Sequence, residues 1–250
     1  MAASLGTTKP LDWRGIALVA ALVALTALAW IDLALMAADP DSMASPRAWT
    51  PGYAAAMLAM WAIMMAAMMV PSAAPTILLF AALRRHAGRG SAMPTALFVA
   101  GYLAAWTAFS AAATLVQWLL ATSSLLSPAM ASESPRLAGA LLVAAGAYQF
   151  SGTKHACLTA CRAPARFLVE HHREGLAGAF AMGVEHGAYC IGCCAVLMAL
   201  LFAFGVMNLA WVLALSALVL VEKIFPAGPW FARATGVALA AAGVAFLLIN

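Results

Sequence analysis

Charge is what this sequence has least of. Only 9% of its 250 residues are charged, 66% are hydrophobic and the mean hydropathy is +0.96. Soluble domains carry roughly 25% charged and about 45–50% apolar residues. The deficit excludes an ordinary soluble domain and implies an integral membrane protein. Long polar stretches are also missing. The longest, 154–175, is loop-sized, which leaves no room for a soluble catalytic domain and makes 1–250 a single membrane domain. No small-residue cleavage context stands apart from the alanine-rich background. The first apolar run, Ile16 to Met36, has about the roughly 20 residues of a span, so it reads as a retained helix and not a signal peptide. The alternation of β-barrel strands is absent, and lipid then leaves helices as the way to satisfy the backbone. There is no ATP-binding motif. There is no clear pair of facing mid-membrane histidines of the kind that ligates haem. The net charge of +4 reports topology before it reports any affinity for nucleic acid, and no nucleic-acid partner is expected.

What is present is about seven apolar segments, near 14–37, 53–84, 94–121, 136–152, 176–204, 208–225 and 231–249. The expected fold is an all-α, polytopic transmembrane bundle. The second segment is too long for one straight span, and Pro71 and Pro75 are expected to kink it or to mark where its end leaves the membrane. With a cytoplasmic N-terminus, Lys and Arg crowd the inner segments, including Lys9, Arg84, Arg85 and Arg89, while Arg47 and Arg136 fall outside and the chain ends outside at Asn250. That asymmetry follows the positive-inside rule and points to a bacterial inner membrane.

The fifth segment contains EHGAYCIGCCAVLM, residues 185–198. At about 100° per residue from His186, Cys190 lies near 40°, Cys193 near −20° and Met182 near −40°, with Cys194 at the margin near 80°. One stripe thus carries soft donors and an imidazole. Thiolate and thioether donors favour Cu(I), and Cys–His mixtures also suit zinc. Free cysteine is also an ordinary small buried hydrophobe, so three of them can be core filler. An ionisable histidine at membrane depth tilts the balance toward function. Glu185 can pair with a basic residue. Gly183, Gly187 and Gly192 can admit a neighbouring helix. Cys190-Ile-Gly-Cys193 has thioredoxin-like spacing but lacks the βαβ context of that motif.

The second segment is rich in methionine. Met57, Met60, Met64 and Met68 repeat at helical spacing beside Trp61, with Met65 and Met69 on an adjacent face. Such a stripe alone reads as adaptable packing, but next to a Cys/His helix it offers thioethers for Cu(I). At about 1.5 Å per residue, Met64 and Cys190 fall at similar depth, so a shared site is geometrically feasible. Met36, Met130, Met198 and Met207 add candidates toward the outer side.

On the inner side, Cys157 and Cys161 are one turn apart near Lys154, Arg162 and Arg166, which are expected to favour thiolate and to make an inner acceptor pair. An interfacial segment with incidental cysteines is the alternative. His171 and His172 read as solvated. Asp32 and an expected Glu222–Lys223 pair are minor candidates.

The stretches WAIMMAAMMVPSAAP (61–75), YLAAWTAFS (102–110), GAYQFSGTKHACLTACRAP (146–164), EHGAYCIGCCAVLM (185–198), FGVMNLAW (204–211) and VEKIFP (221–226) together resemble a bacterial family of metal-binding integral membrane proteins, an uncharacterised domain family sometimes labelled copper chaperone. The resemblance implies a multi-span bundle with a metal site. By match it points to Met64, Met65, Met68, Met69, Cys157, Cys161, His186, Cys190, Cys193 and Cys194. Ala195 and Glu185 depart from the aromatic and basic residues of relatives.

The expected function is soft-metal binding, Cu(I) ahead of zinc, in copper transport, handling or delivery. The expected metal residues are His186, Cys190, Cys193 and Cys194, with Met64 and Met68 opposite, Met60, Met65 and Met69 as further candidates, and Cys157 and Cys161 at the inner mouth. Expected partners are the lipid bilayer and a copper enzyme or soluble metal-binding protein, with a homo-oligomer left open. Two alternatives stand: a membrane thiol-disulfide oxidoreductase passing electrons from Cys190/Cys193 to Cys157/Cys161, and a structural or assembly subunit of a membrane complex.

Overall fold

A computed structural model describes residues 13–38, 49–88, 91–127, 130–132 and 134–249. The expected inner Lys9 and Arg89, the outer Arg47 and the terminal Asn250 lie outside the described residues. The described chain is helical: α1 (Trp13–Ala38), α2 (Pro51–His86), α3 (Met93–Thr122), α4 (Pro135–Tyr148), α5 (Gly152–Arg162), α6 (Pro164–Glu170), α7 (Gly175–Met198), α8 (Leu201–Phe204), α9 (Leu209–Ile224) and α10 (Gly228–Ile249). Among these residues there is no strand, only an isolated bridge between Leu126 and Ser132.

Local chemistry sets the boundaries. Thr50 caps α2 by accepting from the Tyr53 amide at 3.2 Å, with Pro51 in the first turn. Arg84, Arg85 and His86 close its last turn, where cations suit the helix dipole. Ser134 caps α4, and Ser151 restarts the chain as α5 by accepting from the Lys154 amide at 3.1 Å. Pro164 then ends α5, because a residue before proline is pushed out of the helical region.

Five stretches are long and apolar enough to cross a membrane, namely α1, α2, α3, α10 and the continuous run Gly175–Phe204. This is the architecture of an integral membrane protein. The expected fourth and sixth spans are shorter. As α4 and α9 they have 14 and 16 residues, about 21 and 24 Å against a hydrocarbon core of roughly 30 Å. The second expected span is one helix of 36 residues that runs through Pro71 and Pro75 without interruption. At about 1.5 Å per residue it exceeds the core thickness, so part of it projects beyond.

α2 and α7 are the inner helices, and α1 and α10 the outer ones. Glycine sets the closest crossings. A Cβ on Gly183 would strike the backbone carbonyl of Phe98, and one on Gly101 that of Phe180, so α3 and α7 touch backbone to backbone. α4 and α10 meet in the same way, with Gly139 and Gly146 against Gly243 and Gly236. The α3–α7 crossing holds Tyr102 against the cysteine face of α7.

Candidate metal centre

The cysteines of α7 are buried, with Cys190, Cys193 and Cys194 each 1% exposed. Cys193 and Cys194 donate to the Cys190 carbonyl, at 3.1 and 2.9 Å, as thiols in a helix do when they lack a better acceptor. Cys190 is the most connected. Its sulfur is 3.0 Å from the Tyr102 hydroxyl and accepts from Lys223 Nζ at 2.7 Å. Lys223 also donates to Ser72 Oγ at 3.1 Å. Tyr102 and Ser72 both donate to the Met69 carbonyl, at 3.1 and 2.9 Å. A polar knot of residues from α2, α3, α7 and α9 thus surrounds one sulfur.

α2 and α7 meet at this knot. Cys194 Sγ lies 3.9 Å from Met69 Sδ. It is therefore Met69 that brings a thioether to a thiol, and Cys194, placed by helical phase at the edge of the stripe, that receives it. Met60, Met64, Met65 and Met68 are buried in the core around this contact.

Cys161 joins the cluster from α5. It is within hydrogen-bonding reach of Cys190 and Cys193, while Cys157 lies over Gly192, where a Cβ would meet its sulfur at 2.5 Å. The inner pair is thus split: Cys161 reaches the cluster and Cys157 flanks it. Their thiols do not follow the expectation from basic neighbours. Hydrogen bonding to Cys190 and Cys193 together with burial pushes Cys161 well up, and burial pushes Cys157 up.

α5 is held in place by a buried ion pair. Lys154 Nζ donates to Glu222 Oε2 at 2.6 Å, with both side chains almost wholly buried. Gln149 donates to the other Glu222 oxygen at 2.9 Å, and Arg162 donates to the Glu222 carbonyl at 2.5 Å. The expected Glu222–Lys223 pair is therefore replaced by two separate partnerships. Adjacent helix positions point about 100° apart, which sends Glu222 to α5 and Lys223 to Cys190.

His186 sits in an aromatic cage. Its ring is 5.0 Å from Phe167, 5.8 Å from Tyr102 and 6.1 Å from Phe98, and its buried Nδ1 has no hydrogen-bond partner. Glu185 turns away to Arg173 at 3.3 Å and His171 at 3.5 Å. His171 is not simply solvated: it stacks on Phe167 at 4.8 Å. Asp32 buries one carboxylate oxygen without a hydrogen-bond partner.

As these side chains stand, no group of three or more His, Cys, Asp or Glu among the described residues is arranged to hold a metal ion. The thiols of Cys193 and Cys194 point at a backbone carbonyl and would have to rotate toward a common centre. The donors gathered here are soft ones: thiols from two helices and a thioether from a third. Sequence reasoning missed Lys223, Tyr102 and Ser72 as members of this cluster. A buried lysine in an apolar helix was the available signal.

The family PpoB2, described as copper chaperone, matches residues 58–246, which include every cysteine and all of the methionines from Met60 to Met69. No curated protein and no solved structure matches the chain.

Proposed function

The chain belongs to the copper chaperone family PpoB2, and on that premise we propose that it carries Cu(I) as cargo on a sulfur centre inside the membrane. The centre is built from Cys161, Cys190, Cys193 and Cys194 with Met69, and His186 stands one turn from Cys190. The observation that carries this reading is the approach of Cys194 Sγ to Met69 Sδ at 3.9 Å, in a cluster that Cys161 also reaches. Thiols and thioethers are the donors that select Cu(I). Each thiol that ligates as thiolate gives up its proton, so loading releases protons. Lys223 then has a clear role. Several thiolates around one monovalent ion leave a net negative charge, and a buried ammonium 2.7 Å from Cys190 offsets it.

In this reading the chain sits in a bacterial inner membrane with its N-terminus cytoplasmic, and hands Cu(I) to a copper enzyme or a soluble metal-binding protein. Copper content measured by mass spectrometry on purified protein, with and without Cys190→Ser and Cys193→Ser, tests the centre. Loss of copper in the variant is expected. Unchanged copper stoichiometry would sink the proposal.

A further inference from the structure

At one end of the bundle, α1, the end of α2 and the start of α3 enclose a cavity of about 640 Å³. That size falls within the roughly 300–1,000 Å³ of small-molecule sites. The lining divides by chemistry. Arg14, Arg84 and Arg85 stand at the end nearest the helix termini, and among the described residues no carboxylate lines the cavity. Farther in, the wall is apolar, with Leu18, Leu22 and Leu25 along α1 and Val99 on α3. From Arg14 to Leu25 the helix rises roughly 16 Å at about 1.5 Å per residue. That is about half of the roughly 30 Å hydrocarbon core, the depth of one leaflet.

Arg84 is the central cation of this mouth. Its Nε is buried and has no hydrogen-bond partner. Its guanidinium lies over the Phe80 ring, 5.9 Å from the centroid. A buried N–H left unpaired is costly, and an anion entering the cavity satisfies it with a charge-assisted bond. Arg14 lies over the Trp13 ring at 5.3 Å, a cation and an indole of the kind that sit at headgroup level. The start of α3 closes the same mouth with Ser91, Ala92 and Thr95. The N-terminal end of a helix adds a field that favours negative charge.

We propose that this cavity binds one anionic phospholipid, with its phosphate at Arg84 and the neighbouring arginines and an acyl chain along the leucines of α1. Charge complementarity and depth select the occupant. Arginines at one end call for a phosphate, and an apolar wall one leaflet deep calls for a chain. A soluble anion meets only the first demand, and a zwitterionic lipid brings a cation of its own to the arginines. With the N-terminus cytoplasmic, the mouth lies at the inner leaflet, whose surface is negative. The site is separate from the sulfur centre and stands whether or not that centre holds copper.

The purified full-length chain in detergent is titrated with phosphatidylglycerol, with phosphatidylcholine of the same acyl chains and with inorganic phosphate, and bound lipid is counted by native mass spectrometry. One phosphatidylglycerol per chain is expected, held about tenfold more tightly than phosphatidylcholine. Equal affinity for the two lipids overturns the proposal, as does inorganic phosphate that displaces phosphatidylglycerol at equal concentration. Arg84→Gln should lower phosphatidylglycerol affinity about tenfold and leave phosphatidylcholine binding as it was. Ala21→Trp fills the cavity from its exposed edge with every arginine in place, and should abolish phosphatidylglycerol retention. Arg233→Gln removes an exposed arginine outside the cavity and should change nothing. Unchanged binding in both R84Q and A21W overturns the site. An equal loss in R233Q and R84Q also overturns it, by showing a diffuse surface attraction. Binding that appears only after residues 1–12 are deleted would put the chain's own N-terminal segment in the cavity and overturn the lipid.

Discussion

Lys223 Nζ donates to Cys190 Sγ across 2.7 Å, linking α9 to α7 in a place where neither side chain meets solvent. An ammonium beside this sulfur supplies a positive charge that offsets the negative charge of a thiolate-ligated ion. Lys223→Met keeps most of the stem and removes the charge. Affinity for Ag(I), a redox-inert probe for Cu(I), at the thiol centre should fall about tenfold, or about 1.4 kcal/mol, measured by competition titration. An unchanged affinity would show that the lysine only fills space.

Met69 meets Cys194 at 3.9 Å, whereas Met64 is buried five residues earlier on α2, nearly one and a half turns away and on a different face. Met69→Leu should therefore weaken Ag(I) retention, and Met64→Leu should leave it as it was. Both changes conserve volume and should cost less than about 1.5 kcal/mol of stability. Equal effects on retention at the two positions would argue for a ladder of equivalent thioethers.

The Lys154–Glu222 pair is buried and closes α5 onto α9. Glu222→Gln strands the Lys154 ammonium in the interior and should destabilise the protein by about 3–5 kcal/mol, seen as a lower unfolding temperature in detergent. Adding Lys154→Met should recover part of the loss. A double variant that unfolds as early as the sum of the two singles would contradict this coupling.

The α3–α7 crossing predicts a contrast between glycines. A Cβ at Gly183 meets the Phe98 carbonyl, while one at Gly52 meets nothing within 4 Å. Gly183→Ala should cost about 1–3 kcal/mol as overpacking. Gly52→Ala should be neutral or stabilising by up to about 1 kcal/mol. Thermal unfolding of the two variants side by side checks the pair.

The stripe of His186, Cys190 and Cys193 was legible because helical phase is local, and the two cysteines on it are indeed buried in one cluster. The same reasoning had no means of seeing Met69 reach Cys194, because that contact depends on how distant helices pack. It also placed Cys157 and Cys161 at an inner mouth. The fold instead draws Cys161 into the cluster, because Lys154 and Arg162 both tie α5 to Glu222. Gly183 and Gly187 announced a close neighbour, which is α3. The lengths of α4 and α9 were harder to read: the expected fourth span ran on to residue 152, but the helix stops at Tyr148 and Ser151 caps the next one, and α9 runs only from Leu209 to Ile224. Gln117 carried a signal that went unread: a lone amide in an apolar helix must find partners, and these turned out to be an indole and two sulfurs.

Glu222 and Lys223 are neighbours in the chain that serve different clients, one holding α5 and the other Cys190. An inserted or deleted residue upstream in α9 would turn both by about 100°, and every contact would be lost although no side chain had changed. The spacing of α9 is therefore as much a determinant of the centre as the identity of its residues. Length variation among relatives should be confined to the loops on either side of that helix.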